Sequence, residues 1–151
     1  MKVFQLKKSQ VVFIFNLSLL FLLLYGCRPN EADNKVLLSS YIAINGSDTA
    51  RLHLKMGGTS FKGYCEINFN NKYKDSGTVK GMIKGDTLIG DFHYFHYGLE
   101  WKRIAIVFLR KDNKLIMGEG QQYTYLGIPF FQPNRPLEYD SVKFVFQKIE
   151  N

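Results

Sequence analysis

The sequence predicts an all-β protein: an eight-stranded antiparallel up-and-down barrel that follows a removable N-terminal segment. Three observations predict it. From residue 36 onward, apolar and polar residues alternate with a period near two, the pattern of half-buried strands. Turn-forming residues recur at intervals of roughly ten, the spacing of an all-β sandwich or barrel. Aromatics make up 15% of the 151 residues, with 13 Phe and 9 Tyr, and aromatic side chains favour strands over helices.

Taken in order, Leu38, Ile42 and Ile44 mark a first strand with those residues inward, ended by Asn45-Gly46-Ser47-Asp48. Ala50, Leu52, Leu54 and Met56 alternate with Arg51, His53 and Lys55 in the second. After Gly57-Gly58, Phe61, Gly63, Cys65, Ile67 and Phe69 form the inner set of the third. A polar loop is expected over 70–77. Val79, Gly81 and Ile83 then face inward, and Lys84-Gly85-Asp86 is a hairpin signal because glycine supplies a positive φ. Leu88, Gly90, Phe92 and Tyr94 continue the inner face, with Ile89, Asp91 and His93 outside. Residues 101–109 are apolar on both faces, which predicts the most covered strand. Arg110-Lys111-Asp112-Asn113 turns the chain into a seventh strand over 115–122. Pro129, Pro133 and Pro136 exclude a central strand over 123–140, so that stretch reads as a long aromatic loop. Val142, Phe144 and Phe146 form the eighth strand.

Eight strands joined by short turns make a meander whose two open edges would invite aggregation. Pairing the last strand with the first removes both edges, and eight strands suffice to close a barrel. Gly63, Gly81 and Gly90 fall on inward positions, where strong curvature is needed. A two-sheet sandwich is the alternative.

The N-terminus carries a separate signal. Lys2, Lys7 and Lys8 precede a 15-residue apolar stretch, Val11–Tyr25. This is signal-peptide architecture, and the stretch is short of the roughly 18 residues a spanning helix needs. Leu24-Tyr25-Gly26-Cys27 resembles the lipobox of bacterial lipoproteins. The resemblance implies cleavage between Gly26 and Cys27 and lipid on Cys27. Tyr25 departs from the small residue usual at its position. Residues 1–26 are then the signal peptide, 27–35 a polar tether and 36–151 the barrel domain. Arg28, where enterobacterial inner-membrane lipoproteins carry Asp, implies an outer-membrane address in the cell envelope. Multiple acyl chains give stable membrane attachment.

A second resemblance rests on Asp48-Thr49, Gly77-Thr78-Val79-Lys80-Gly81 and Lys84-Gly85-Asp86-Thr87-Leu88-Ile89. It continues through Arg103, Phe108-Leu109, Leu115 and Gly118-Glu119-Gly120. Over roughly residues 40–120 the chain is similar to small uncharacterised lipoproteins of the Bacteroidota, which implies a lipocalin-like barrel. The family's acidic and serine pattern before Arg103 is replaced here by Phe95-His96-Tyr97-Gly98-Leu99-Glu100-Trp101.

Charge excludes some partners. Removing Lys2, Lys7 and Lys8 from the 20 basic residues leaves 17 against 13 acidic ones, a net of +4. The excess is spread along the chain, without the concentrated stripe of a nucleic-acid footprint. With Cys27 lipidated, Cys65 stands alone on an apolar phase and reads as a buried thiol without an activating partner. His93 and His96 point to opposite faces of a strand and cannot share one metal. Asp91, Glu100 and Glu119 have no spacing that specifies an acid/base pair. Nucleophile-elbow, P-loop and dinucleotide motifs are absent. The expectation is a protein that is not an enzyme and has no cofactor or metal.

Two functional readings follow. The first is a lipid-anchored binding module that holds a small apolar ligand in the barrel, with Tyr123, Tyr125, Phe130 and Phe131 near the mouth as contacts. The second is an envelope protein–protein interaction module with a filled core. Interior volume separates them, because an eight-stranded barrel encloses either side chains or one small ligand.

Overall fold

A computed structural model describes residues 37–149 of the chain. Residues 1–36, and with them the expected signal peptide, its expected cleavage site at Gly26 and Cys27, and the expected tether, lie outside the described residues. The described part contains ten strands: β1 (Leu37–Asn45), β2 (Asp48–Gly57), β3 (Ser60–Phe69), β4 (Tyr73–Lys84), β5 (Thr87–His96), β6 (Glu100–Lys111), β7 (Lys114–Gly118), β8 (Gln122–Tyr125), β9 (Ile128–Phe131) and β10 (Val145–Ile149). Eight of them close into an antiparallel barrel in the order β1-β10-β7-β6-β5-β4-β3-β2. Closure is made by β10, which pairs with both β7 and β1. The expected eight-stranded barrel is therefore observed, and the sandwich is excluded.

Tight turns set the registers. Gly85-Asp86 joins β4 to β5 across the Lys84↔Thr87 pair, with Gly85 at φ 58°. Asp112 and Asn113, at φ 49° and 60°, join β6 to β7. Two positive φ values in a two-residue loop match the right-handed twist of the flanking strands. The inner face is one continuous core, running from Ala50, Leu52, Leu54 and Cys65 through Val79, Leu88 and Phe92 to Phe108, Leu115 and Phe146. These described residues form one compact unit with its own core, the property of a domain that folds alone.

Four expectations need correction. The first strand has the opposite phase: Ser39, Tyr41 and Ala43 are buried, whereas Leu38 and Ile44 are 74% and 71% exposed. The register explains it. Residues directly opposite in an antiparallel pair share a face, and Ala43↔Ala50 and Tyr41↔Leu52 bind the phase of β1 to that of β2. The polar loop over 70–77 shrinks to residues 70–72, since β4 starts at Tyr73 and pairs it with Phe69. Asn70 and Asn71 take positive φ there, which asparagine tolerates. The seventh strand ends at Gly118, not at 122. The expected loop over 123–140 holds a two-stranded hairpin, β8-β9, separate from the barrel sheet. Pro129 is accommodated because it sits in that small sheet, outside the barrel ladder.

Four consecutive residues of β6, Ala105 to Phe108, are buried on both faces. The inner face meets the core, and the β8-β9 hairpin lies against β5 and β6 from outside. Towards its start the same strand is open, and Trp101 is 63% exposed.

Candidate functional site

The β8-β9 hairpin is an arm fastened to the outer wall. Because β7 stops opposite Val107, the edge of β6 before that point lacks a barrel neighbour. The side-chain amide of Gln122 fills the gap. Its Oε1 accepts from the Ala105 N–H at 2.8 Å, and its Nε2 donates to the Ala105 carbonyl at 3.1 Å. A side-chain amide presents one acceptor and two donors, so it can mimic one residue of a strand. Further along, Glu119 and Glu138 exchange backbone hydrogen bonds of 3.0 and 2.9 Å. The Gln132 N–H donates to the Gln121 carbonyl at 2.8 Å. Gly120 leaves room for the Phe131 and Leu137 side chains, which a methyl group there would strike. The arm turns at Leu126-Gly127, with φ of 49° and 76°.

Between arm and wall lies a groove of about 710 Å³. Its wall is built from Met82 and Ile89 and from the inward glycines Gly81 and Gly90. Its roof is Tyr123, Ile128, Pro129, Phe130 and Phe131. Gly81 and Gly90 stand opposite each other in the ladder, and the absence of side chains lets β4 and β5 approach closely. Three of the four sequence-predicted contacts, Tyr123, Phe130 and Phe131, meet here; Tyr123 and Phe130 rings lie 5.8 Å apart. Tyr125, near the tip, is 63% exposed and outside the groove lining. The expected position near the barrel mouth is corrected: the three aromatics stand on the outer wall, because Gln122 fastens the arm to β6.

One rim of the groove is basic. Lys62 and Lys80 face each other directly across β3 and β4, and Lys55 stands opposite Lys62 on β2. Lys84 lines the same groove. The acid next in the row, Asp91 opposite Lys80, accepts a 2.7 Å hydrogen bond from Arg103 Nε. That bond raises the Arg103 pKa above its ordinary value. It also explains how Asp91, on the outer phase as expected, becomes buried.

The barrel interior offers less room. A recess of about 210 Å³ at one end is lined by Phe69, Phe92, Tyr94, Asp75, Glu119 and Lys143, among others. At the other end a recess of about 320 Å³ is lined by Tyr41, Met56 and Leu115 and by the charged residues Asp86, Arg110, Lys111 and Lys114; ligand pockets begin at roughly 300 Å³ and are lined mostly by apolar side chains. His96 Nδ1 lies 2.8 Å from Asp75 Oδ1, and the Tyr97 N–H donates to the same oxygen at 3.2 Å. Burial, and then the Asp75 charge, raises the Tyr94 pKa. Lys143 bonds Asp48 at 2.8 Å and sits 4.8 Å over the Phe69 ring. The Lys143 hydrogen bond lowers the Asp48 pKa. Across the strand from this couple, His93 points outward and its ring lies 4.8 Å from that of Trp101. Among the described residues no group of three or more His, Cys, Asp or Glu is placed to hold a metal ion.

Sequence reasoning missed the lysine row, the Gln122 clamp and the Asp75–His96 couple. The row was within reach: Lys55, Lys62 and Lys80 all occupy outward phases, and the turns fix their alignment. Comparison with family models, with curated proteins and with solved structures finds no match.

Proposed function

We propose that this chain is an envelope lipoprotein, anchored to the outer membrane by lipid on Cys27, whose barrel domain binds a small apolar ligand in the groove beneath the β8-β9 arm. One observation carries the binding reading: a filled barrel bearing, on its outside, a concave apolar groove of about 710 Å³ roofed by Tyr123, Phe130 and Phe131. Clefts of this size with aromatic linings suit ligands of drug or lipid-chain dimensions. The lipid anchor rests on the lipobox resemblance at Leu24-Tyr25-Gly26-Cys27. It brings the groove close to a source of apolar molecules.

The filled interior also favours the second reading, a protein–protein interaction module. The exposed Trp101 and Phe95, whose rings lie 5.3 Å apart, supply an aromatic outer face for it.

Two measurements test the proposal. The domain from residue 36 onward, titrated with the uncharged apolar dye N-phenyl-1-naphthylamine, is expected to enhance its fluorescence saturably. Phe130→Ser is expected to weaken that enhancement. A flat titration sinks the groove reading. Full-length chain and Cys27→Ala, grown with labelled palmitate, test the anchor; equal labelling of both removes it.

A further inference from the structure

We propose that the groove takes a single-chain amphiphile with an anionic head, the head seated on Lys62 and Lys80 and the chain beneath the arm. The inference rests on the groove being the binding site, and goes beyond it by naming the ligand's charge and polarity.

Like charges directly opposite on one face of a sheet destabilise the pairing. Here three ammonium groups occupy one cross-strand row, Lys55↔Lys62 and Lys62↔Lys80. Lys84 adds a fourth charge on β4, in the lining of the same groove. None of the four forms an ion pair among the described residues, whose pairs involve Lys74, His96, Lys102, Arg103, Arg110 and Lys143. The carboxylate that could relieve Lys80, Asp91, is already held at 2.7 Å by Arg103. An anion over the Lys62–Lys80 pair would supply the missing counter-charge.

Position links that charge to the apolar groove. Lys62 and Lys80 form a ridge shared by two hollows: the groove, and a shallower one of about 570 Å³ lined by Leu38, His53 and Tyr64. From the ridge, Met82, Ile89, Ile128 and Phe130 lead an apolar path under the arm. Charge at one end and rings along the rest are complementary to a carboxylate- or phosphate-headed chain. A neutral hydrocarbon would leave the lysines unrelieved, and a bulky two-chain lipid would have to lift the arm, and Gln122 with it, off Ala105.

The head chemistry has two sources, a free monomeric amphiphile or the headgroup of a bilayer lipid, and the test separates them. The domain from residue 36 onward is loaded with N-phenyl-1-naphthylamine and displaced by monomeric dodecanoate or dodecanol. Dodecanoate is expected to displace the dye at about tenfold lower concentration than dodecanol, the scale of one charge-assisted contact. Lengthening the chain by one methylene is expected to tighten displacement about threefold to fourfold. Lys62→Gln with Lys80→Gln is expected to erase the preference for the anion while leaving dodecanol unchanged; Lys72→Gln, in the β3-β4 turn at the other end of the ladder, is expected to leave both unchanged. Equal displacement by acid and alcohol overturns the anionic head while the apolar groove stands. Failure of the dye itself to bind overturns the groove reading beneath it. Binding to vesicles of anionic phospholipid with no displacement by monomeric dodecanoate overturns the proposal in favour of surface docking. Because removing both ammonium groups relieves their repulsion, the double variant is expected to unfold at the same or a higher temperature, which shows that its loss is one of recognition, not of fold.

Discussion

The side chain of Gln122 holds both backbone groups of Ala105, accepting from its N–H and donating to its carbonyl. This one pair decides where the arm lies, because it replaces the strand neighbour that β7 no longer supplies. Gln122→Ala leaves a partly buried N–H and C=O without partners, at a cost of about 1–3 kcal/mol. The barrel is closed by other strands, so the loss should be local. Amide exchange at Gln132, which donates to the Gln121 carbonyl, is expected to quicken about tenfold or more, with core amides such as Leu52 unchanged. Equal exchange in the variant would show that the arm is held by other contacts.

Much of the fold was legible because turn chemistry and alternation agree. In β2 the apolar residues Ala50, Leu52, Leu54 and Met56 alternate with charged ones, and all four are buried. In β1 both phases carry apolar residues, so alternation alone could not choose; the Asn45↔Asp48 closure chose for it. The arm was illegible for another reason. Its strands have four residues each, too few for a period to show, and its position depends on an amide–backbone contact between residues 17 apart. The groove followed from that contact, so its aromatic members could be named while its location could not. Asp75 was hidden by the expected loop over 70–77, since only a strand there places it inward beside His96.

Glycine serves two distinct purposes, which substitution separates. A methyl added at Gly90 would run into the Lys80 carbonyl oxygen and the Cα of Gly81. Backbone cannot move aside as a side chain does, so Gly90→Ala is expected to destabilise by about 3 kcal/mol, the upper range for overpacking. A methyl at Gly98 meets nothing within 4 Å, but φ there is 75°. Gly98→Ala is expected to cost only the left-handed penalty, about 1 kcal/mol. Urea unfolding of the two variants checks the order; a larger loss at Gly98 would refute it.

Cys65 is fully buried on the inner face of β3, and burial pushes its thiol up to about 12 from an ordinary 9.0, with Glu66 and Asp75 adding to the rise. The thiolate is the reactive form, so the native thiol is expected to stay silent to Ellman's reagent at pH 8 and to react on unfolding. The unfolded chain releases this proton first, so the contribution is intact below about pH 9 and is lost as pH rises toward 12. Cys65→Ala should therefore remove part of the alkaline fall in stability. Rapid native labelling at pH 8 would contradict the burial.

Leu126 is 84% exposed at the tip of the arm and holds φ 49°. A left-handed conformation costs a leucine about 1 kcal/mol, and no burial repays it. Asparagine takes this conformation readily and favours such two-residue turns. Leu126→Asn is therefore expected to slow opening of the arm, seen as several-fold slower amide exchange at Tyr123 and Phe130. Two outcomes carry different meanings. If exchange slows and dye affinity holds or rises, the tip only closes the hairpin. If exchange slows but affinity falls, the exposed leucine itself touches the ligand, and a strained turn is retained because it presents an apolar side chain beyond the groove. Faster exchange would mean that Leu126 stabilises the turn through contacts outweighing its backbone strain, contrary to the open tip described above.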